Sequence, residues 1–229
     1  MSDSEPLRLV VFDVDGTLID SQAHIMAAMT LAFEAVGHPC PPRPQVLSMV
    51  GLSLAVMMPK LAPGLDAQGH DALAAAYKAS FADIRMSGNP LETAPLFPGA
   101  REVLDHLLGR DDLLVGIATG KSRRGLDHLL EAHGLTGAFV TEQVADHHPS
   151  KPHPSMLFTA MAETGVEAPN AVMIGDTTFD IEMGRAAGLR TIGVGWGYHP
   201  TEALVAAGAD EVVASYAALT PALHKIWEG

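Results

Sequence analysis

Five short apolar runs, set apart by stretches of helical spacing, restrict this chain to one kind of architecture. The first is Leu9-Val10-Val11-Phe12; the others lie at residues 113–118 (Leu-Leu-Val-Gly-Ile-Ala), 138–141, 171–174 (Ala-Val-Met-Ile) and 190–194 (Arg-Thr-Ile-Gly-Val). A short continuous apolar run bounded by turn residues reads as a strand covered on both faces. Between the runs, apolar residues recur at helical intervals: Val103, Leu104, Leu107 and Leu108, then Leu126, Leu129 and Leu130, then Met156, Leu157, Ala160 and Met161. Gly134, Gly165 and Gly188 follow helical stretches and predict left-handed C-terminal caps. Strands alternating with helices imply an α/β fold, a Rossmann-like parallel sheet with helices on both faces.

Residues 20–92 interrupt this rhythm with helical periodicity and no convincing strand. One helix is expected from Asp20 or Ser21 to Val36, with Ile25, Ala28, Met29, Ala32, Phe33 and Val36 on one stripe, ended by the proline-rich run from Gly37 to Pro44. A later helix carries Leu73, Tyr77, Phe81 and Ile84, and Gly88-Asn89-Pro90 ends it. The expected division is a core of residues 1–19 and 93–229 and an inserted helical module of residues 20–92.

The first strand stops at Asp13-Val14-Asp15-Gly16-Thr17. In an open α/β sheet, ligands bind at the carboxyl ends of strands, and alternation aims Asp13 and Asp15 to one side. Gly16 allows a sharp turn and close backbone approach. Two acids this close repel unless a cation joins them, and a hard divalent ion with oxygen ligands, Mg²⁺ above all, is the natural partner. Aspartate and glycine also dominate ordinary polar turns, which is the competing reading.

Three later segments bear on the choice. The run at 113–118 delivers Thr119-Gly120-Lys121-Ser122, where a hydroxyl and free backbone N–H groups suit phosphate oxygens or, equally, a helix N-cap. Lys151, in Pro149-Ser150-Lys151-Pro152-His153-Pro154, is held in a loop stiffened by prolines. His147, His148 and His153 lie close to it, but Zn²⁺ prefers thiolate or imidazole sets with defined spacing and no cysteine is near, so these are surface or phosphate-adjacent histidines. The run at 171–174 ends in Gly175-Asp176-Thr177-Thr178-Phe179-Asp180; with a helix starting near Thr177, Asp176 and Asp180 face one site or form an acidic helix N-terminus.

Charge narrows the partners. Fourteen basic and 27 acidic side chains give a net charge of -13, which argues against nucleic acid or an anionic membrane surface and requires local cations for any anionic substrate. One cysteine, Cys40, permits no intramolecular disulfide. No apolar run is long enough to span a bilayer and the first residues lack signal-peptide character, so the expected location is the cytoplasm.

Taken in order, Asp-x-Asp-Gly-Thr, Thr-Gly, a lone lysine before proline, and Gly-Asp-x-x-x-Asp closely resemble the four signatures of the haloacid dehalogenase-like hydrolases, over nearly the whole chain. Leu96-Phe97-Pro98-Gly99, Lys151-Pro152-His153-Pro154 and Gly193-Val194-Gly195-Trp196-Gly197-Tyr198 resemble the phosphoglycolate phosphatase branch, which carries a helical cap where residues 20–92 lie. The resemblance implies that Asp13 is a nucleophile forming an aspartyl phosphate, and that Asp15 is the acid and base. It implies that Lys151 steadies Asp13, and that Thr119, Gly120 and Lys121 bind the phosphoryl group. It implies Mg²⁺ held by Asp13, the Asp15 carbonyl, Asp176 and Asp180. The expected partner is a small phosphorylated metabolite, 2-phosphoglycolate first, acted on by a monomer or homodimer. Val50-Gly51-Leu52-Ser53 resembles the cap loop that meets substrate, and its neutrality fits a small one.

A sugar phosphomutase using the same two aspartates is the nearest rival, although Thr17 looks more like the phosphatases. Dehalogenases typically lack the second aspartate, and phosphonate hydrolysis needs a cap lysine for which Lys60 and Lys78 show no context. From another class, Gly193 to Gly197 lacks the Gly-x-Gly-x-x-Gly spacing of a dinucleotide-binding domain. A non-catalytic phosphate-binding protein is the remaining alternative.

Overall fold

The computed structural model describes residues 6–87 and 90–228. In chain order these form β1 (Arg8–Phe12), α1 (Gln22–Ala35), α2 (Arg43–Leu47), α3 (Leu54–Leu61), α4 (Ala67–Ser87), α5 (Pro90–Thr93), α6 (Ala100–Leu108), β2 (Leu113–Thr119) and α7 (Arg123–Ala132). There follow β3 (Thr141–Val144), α8 (Ser155–Thr164), β4 (Ala171–Gly175), α9 (Thr178–Ala186), β5 (Arg190–Val194), α10 (Thr201–Ala206), β6 (Glu211–Val213) and α11 (Leu219–Glu228).

All six strands are parallel, in the order β3-β2-β1-β4-β5-β6. Side-chain alternation explains why β1 is apolar throughout. Val10 and Phe12 join one core with Val115, Ile117, Val172 and Ile174. Leu9 and Val11 enter a second core with Met156, Leu157, Met173 and Met183. Both faces of the strand are therefore covered. The order reverses direction at β1, the kind of switch point where doubly wound sheets place a crevice. Register then sets the site: Phe12 pairs with Ile117 and with Ile174, so Asp13, Ala118-Thr119 and Gly175-Asp176 leave the sheet along one edge.

The segment between β1 and α6 builds a core of its own from Ile25, Met29, Phe33, Met58, Leu61 and Leu73 among others. A fully buried residue such as Phe33 is worth about 3–5 kcal/mol against truncation to alanine. α1 follows the expected stripe. Its N-terminal residue Ser21 does not cap it, because the hydroxyl is used elsewhere. The short helices α2 and α3 escape periodicity, the first opened by Pro44 in its first turn. Of the expected Gly88-Asn89-Pro90 terminator, residues 88 and 89 lie outside the described residues. Gly134, Gly165 and Gly188 adopt the left-handed conformation. Among the described residues no helix is long and apolar enough to cross a membrane.

Two strand readings need correction. The third strand occupies Thr141–Val144, not 138–141, because the apolar Ala138-Phe139-Val140 precedes it: Phe139 packs into the core while Val140 is exposed. β6 escaped the sequence reading, being three residues long at the sheet edge, with one buried side chain.

Candidate active site

Three carboxylates meet beyond the strand ends. Asp13 follows β1, Asp176 follows β4, and Asp180 lies in the first turn of α9. One oxygen from each lies within 4.8 Å of the others, and all three residues are buried. Their positions are set locally. Thr177 caps α9 and forms a reciprocal capping box with Asp180, fixing one face of that carboxylate. Asp176 accepts from the Thr17 hydroxyl at 2.9 Å and from the Tyr198 N–H at 2.7 Å. Glycines make room for it: a Cβ on Gly16 would stand 2.3 Å from Asp176 Oδ2, and one on Gly197 only 2.1 Å from Asp176 Cβ. Gly16 is also left-handed, with φ +86°.

Lys151 is buried among these acids, donating to Asp13 Oδ1 at 2.8 Å and to Asp180 Oδ1 at 2.6 Å. Burial disfavours its charge, but Asp13 and Asp180 outweigh that and hold the ammonium above the usual lysine value. Asp13 is pushed up to about 7, by burial first, against the pull of Lys151. Asp176 is raised well above the ordinary carboxyl range by burial and then by the charges of Asp13 and Asp180. Three acids against one ammonium leave surplus negative charge. Asp13 Oδ2 sits in it, buried and without a hydrogen-bond partner. An orphaned carboxylate oxygen beside two more carboxylates fits a hard divalent cation, and oxygen-only donors match the preference of Mg²⁺. His147, His148 and His153 belong to no such cluster among the described residues.

Asp15 faces a different neighbourhood. Its side chain accepts from Ser21 Oγ at 2.6 Å and from Lys121 Nζ at 2.8 and 2.9 Å. It is not part of the acidic trio. Tyr198 Oη lies 3.0 Å from Ser21 Oγ, so Tyr198 touches both acids, Asp176 through its backbone and Asp15 through Ser21. Lys121, read from sequence as a phosphoryl ligand, is thus committed to Asp15 and also lies 5.1 Å from the centre of the Phe81 ring. Thr119 is buried at the strand end, and its hydroxyl accepts from the Lys121 N–H at 3.2 Å. Ser122 serves as the cap of α7, accepting from Gly125 N–H.

The helical insert closes over this edge. A Cβ on Gly120 would lie 2.5 Å from the Gly51 carbonyl oxygen, the Ser53 N–H donates to Ser150 Oγ at 2.8 Å, and His199 Nε2 meets the Ser48 carbonyl at 3.0 Å. Because His199 Nδ1 accepts from the Thr178 N–H, its Nε2 carries the proton and donates. A half-open chamber of about 730 Å³ lies here and reaches from Asp13 and Asp15 to Tyr77, Phe81 and Arg124. The sequence reading passed over Ser21 as a helix start and Tyr77 as a core residue; only position in space marks them as site residues.

Residues 10–194 match the family model described as haloacid dehalogenase-like hydrolase. The chain belongs to this family. Among curated relatives, "Probable phosphatase IndB" of Dickeya dadantii is 35% identical over 221 residues, covering 95% of this chain and 94% of that one. "Phosphoglycolate phosphatase" of Vibrio parahaemolyticus is 29% identical over 227 residues, covering 94% and 95%. A hydrolase structure from Pseudomonas syringae superposes with a TM-score of 0.83 at 23% identity, over 96% of this chain and 99% of that one. The haloacid dehalogenase-like assignment and these relatives make the chain a phosphatase, and Asp13, Asp176 and Asp180 form an acidic cluster able to hold a divalent metal.

Proposed function

We propose that this chain is a Mg²⁺-dependent phosphatase of small phosphomonoesters that works through an aspartyl phosphate on Asp13, in the cytoplasm, as a monomer or homodimer. The observation that carries the reading is Asp13 itself: one oxygen is tied to Lys151 while the other is buried, unpartnered and beside Asp176 and Asp180. A carboxylate buried beside a lysine can serve as a nucleophile, and the unpartnered oxygen of Asp13 is the one that would face a metal. Asp13, Asp176, Asp180 and the Asp15 carbonyl would hold Mg²⁺, which when bound would offset the repulsion between carboxylate and phosphate dianion.

One carboxylate oxygen of Asp13 forms the bond to phosphorus as the bond to the alcohol oxygen breaks, and Asp15 gives that alcohol oxygen a proton. Asp15 then takes a proton from the water that attacks phosphorus, and Asp13 is released. The Thr119 hydroxyl, the Gly120 N–H and Lys121 hold the phosphoryl oxygens. Substrate draws Lys121 away from Asp15, which frees that carboxyl to carry its proton. Residues 20–92 act as a cap on a core of residues 1–19 and 93–229, excluding water in the first step and admitting it in the second. The contacts of Gly51, Ser53 and Ser48 with the core support this division.

2-Phosphoglycolate is the first compound to assay, because several curated relatives carry that activity in their names. Phosphate release that requires Mg²⁺ and stops with chelator, together with an acid-stable, alkali-labile phosphoryl label on the protein, is the expected result. Release indifferent to chelator overturns the metal, and transfer of the label to a sugar phosphate instead of water identifies a mutase.

A further inference from the structure

The chamber beside Asp13 is larger than a two-carbon acid needs. About 730 Å³ lies within the range of sites that enclose ligands of drug size. Away from the reacting carboxylates its wall is mostly apolar and comes from the insert, with Ile25, Leu52, Val56 and Met57 contributing aliphatic surface. His24 stacks on the Phe81 ring at 3.9 Å and Lys121 Nζ lies 5.1 Å from its centre.

Two groups that line the chamber, one on α4 and one on α7, remain unused. Tyr77 lines the chamber, where burial first and then the charge of Asp15 push its phenol up, yet its hydroxyl has no hydrogen-bond partner among the described residues and is not sealed from solvent. Arg124, in the first turn of α7, lines the chamber and makes no ion pair or hydrogen bond among the described residues. The cations nearer the chemistry are different: Lys151 and Lys121 are each held by carboxylates. Free polar capacity at the outer end of an otherwise aliphatic wall serves the alcohol of the substrate, not its phosphoryl group.

We propose that the outer chamber, between the aliphatic wall of the insert and the pair Tyr77 and Arg124, selects phosphomonoesters of two-faced, ring-bearing alcohols larger than glycolate. The apolar face of the ring lies on Ile25, Leu52, Val56 and Met57, a hydroxyl meets Tyr77, and an electron-rich edge meets Arg124. A ring suits this arrangement because it holds its two faces apart without ordering rotatable bonds on binding. The inference rests on the phosphatase reading above and extends it to the leaving group.

The test compares kcat and KM of the full chain with Mg²⁺ on 2-phosphoglycolate, ribose 5-phosphate and adenosine 5′-monophosphate. At least one ring-bearing ester is expected to exceed 2-phosphoglycolate about tenfold or more in kcat/KM. Tyr77→Phe is expected to lower kcat/KM for that ester about three- to tenfold, mainly through KM, and so to narrow the ratio. Arg124→Ala narrows it in the same way, and Ala82→Phe, which fills the chamber without removing a polar group, narrows it further. Preference for 2-phosphoglycolate by the unaltered protein, or a ratio that none of the three variants moves, overturns the selection while leaving the phosphatase reading intact. Absence of Mg²⁺-dependent release from every ester overturns both.

Discussion

On the sheet side of the chamber Asp13, Lys151, Asp176 and Asp180 are each at most 1% exposed and bound to one another or to backbone, whereas on the insert side Tyr77 and Phe81 are only partly buried and Lys78 is exposed. The sheet side fixes charges at strand ends, where register permits little change. The insert side offers aliphatic surface from elements that carry none of these acids, so its lining can vary without unseating them. On the proposed function, chemistry belongs to the buried wall and selection to the variable one.

The contrast can be broken from the rigid side first. Asp13→Asn is expected to reduce phosphate release by on the order of 10⁴-fold or more while leaving the circular-dichroism spectrum unchanged; appreciable turnover in that variant removes covalent catalysis. Lys151→Met leaves Asp13 and Asp180 buried without their counter-charge and should cost about 3–5 kcal/mol in urea unfolding without metal. A loss under about 1 kcal/mol would mean that the lysine does not balance the nest. Gly197→Ala places a methyl 2.1 Å from Asp176 Cβ, and the displacement should cost about 1–3 kcal/mol and raise the Mg²⁺ concentration needed for half-maximal rate. An unchanged Mg²⁺ requirement would detach Asp176 from the metal.

The gentlest test uses pH. Asp13 rises from 3.8 to about 7 in the folded chain, so between those values the fold binds more protons than the unfolded chain does. Its contribution is therefore greatest at the acid end of that window and declines toward pH 7, by at most about 1.4 kcal/mol per pH unit. Urea midpoints in chelator, compared with Asp13→Asn, should show the decline, and Mg²⁺ should flatten it by competing with the proton. A difference that grows toward pH 7 in chelator contradicts the raised value.

The rigid wall was largely legible because Asp13 and Asp176 each end an apolar run, with Asp180 four residues further on, and a run buried on both faces admits a charge only where it stops. Lys151 was legible through the prolines around it. The strands that misled were edge strands: Thr141 to Val144 and Glu211 to Val213 need no continuous apolar run, since the sheet covers them on one side only. Tyr77 shares a helical stripe with the buried Leu73, and periodicity cannot distinguish a stripe facing a core from one facing a chamber. Ser21 and Tyr198 are 177 residues apart, and nothing local announces that their hydroxyls meet beside Asp15.

The seat where Gly51 rests on Gly120 joins two residues that have no side chains to interlock. On the cap reading, that seam parts and re-forms without any rotamer having to change at the point of contact. Each opening then exposes little apolar area there, and the lid costs the catalytic cycle less time than a packed hydrophobic joint would.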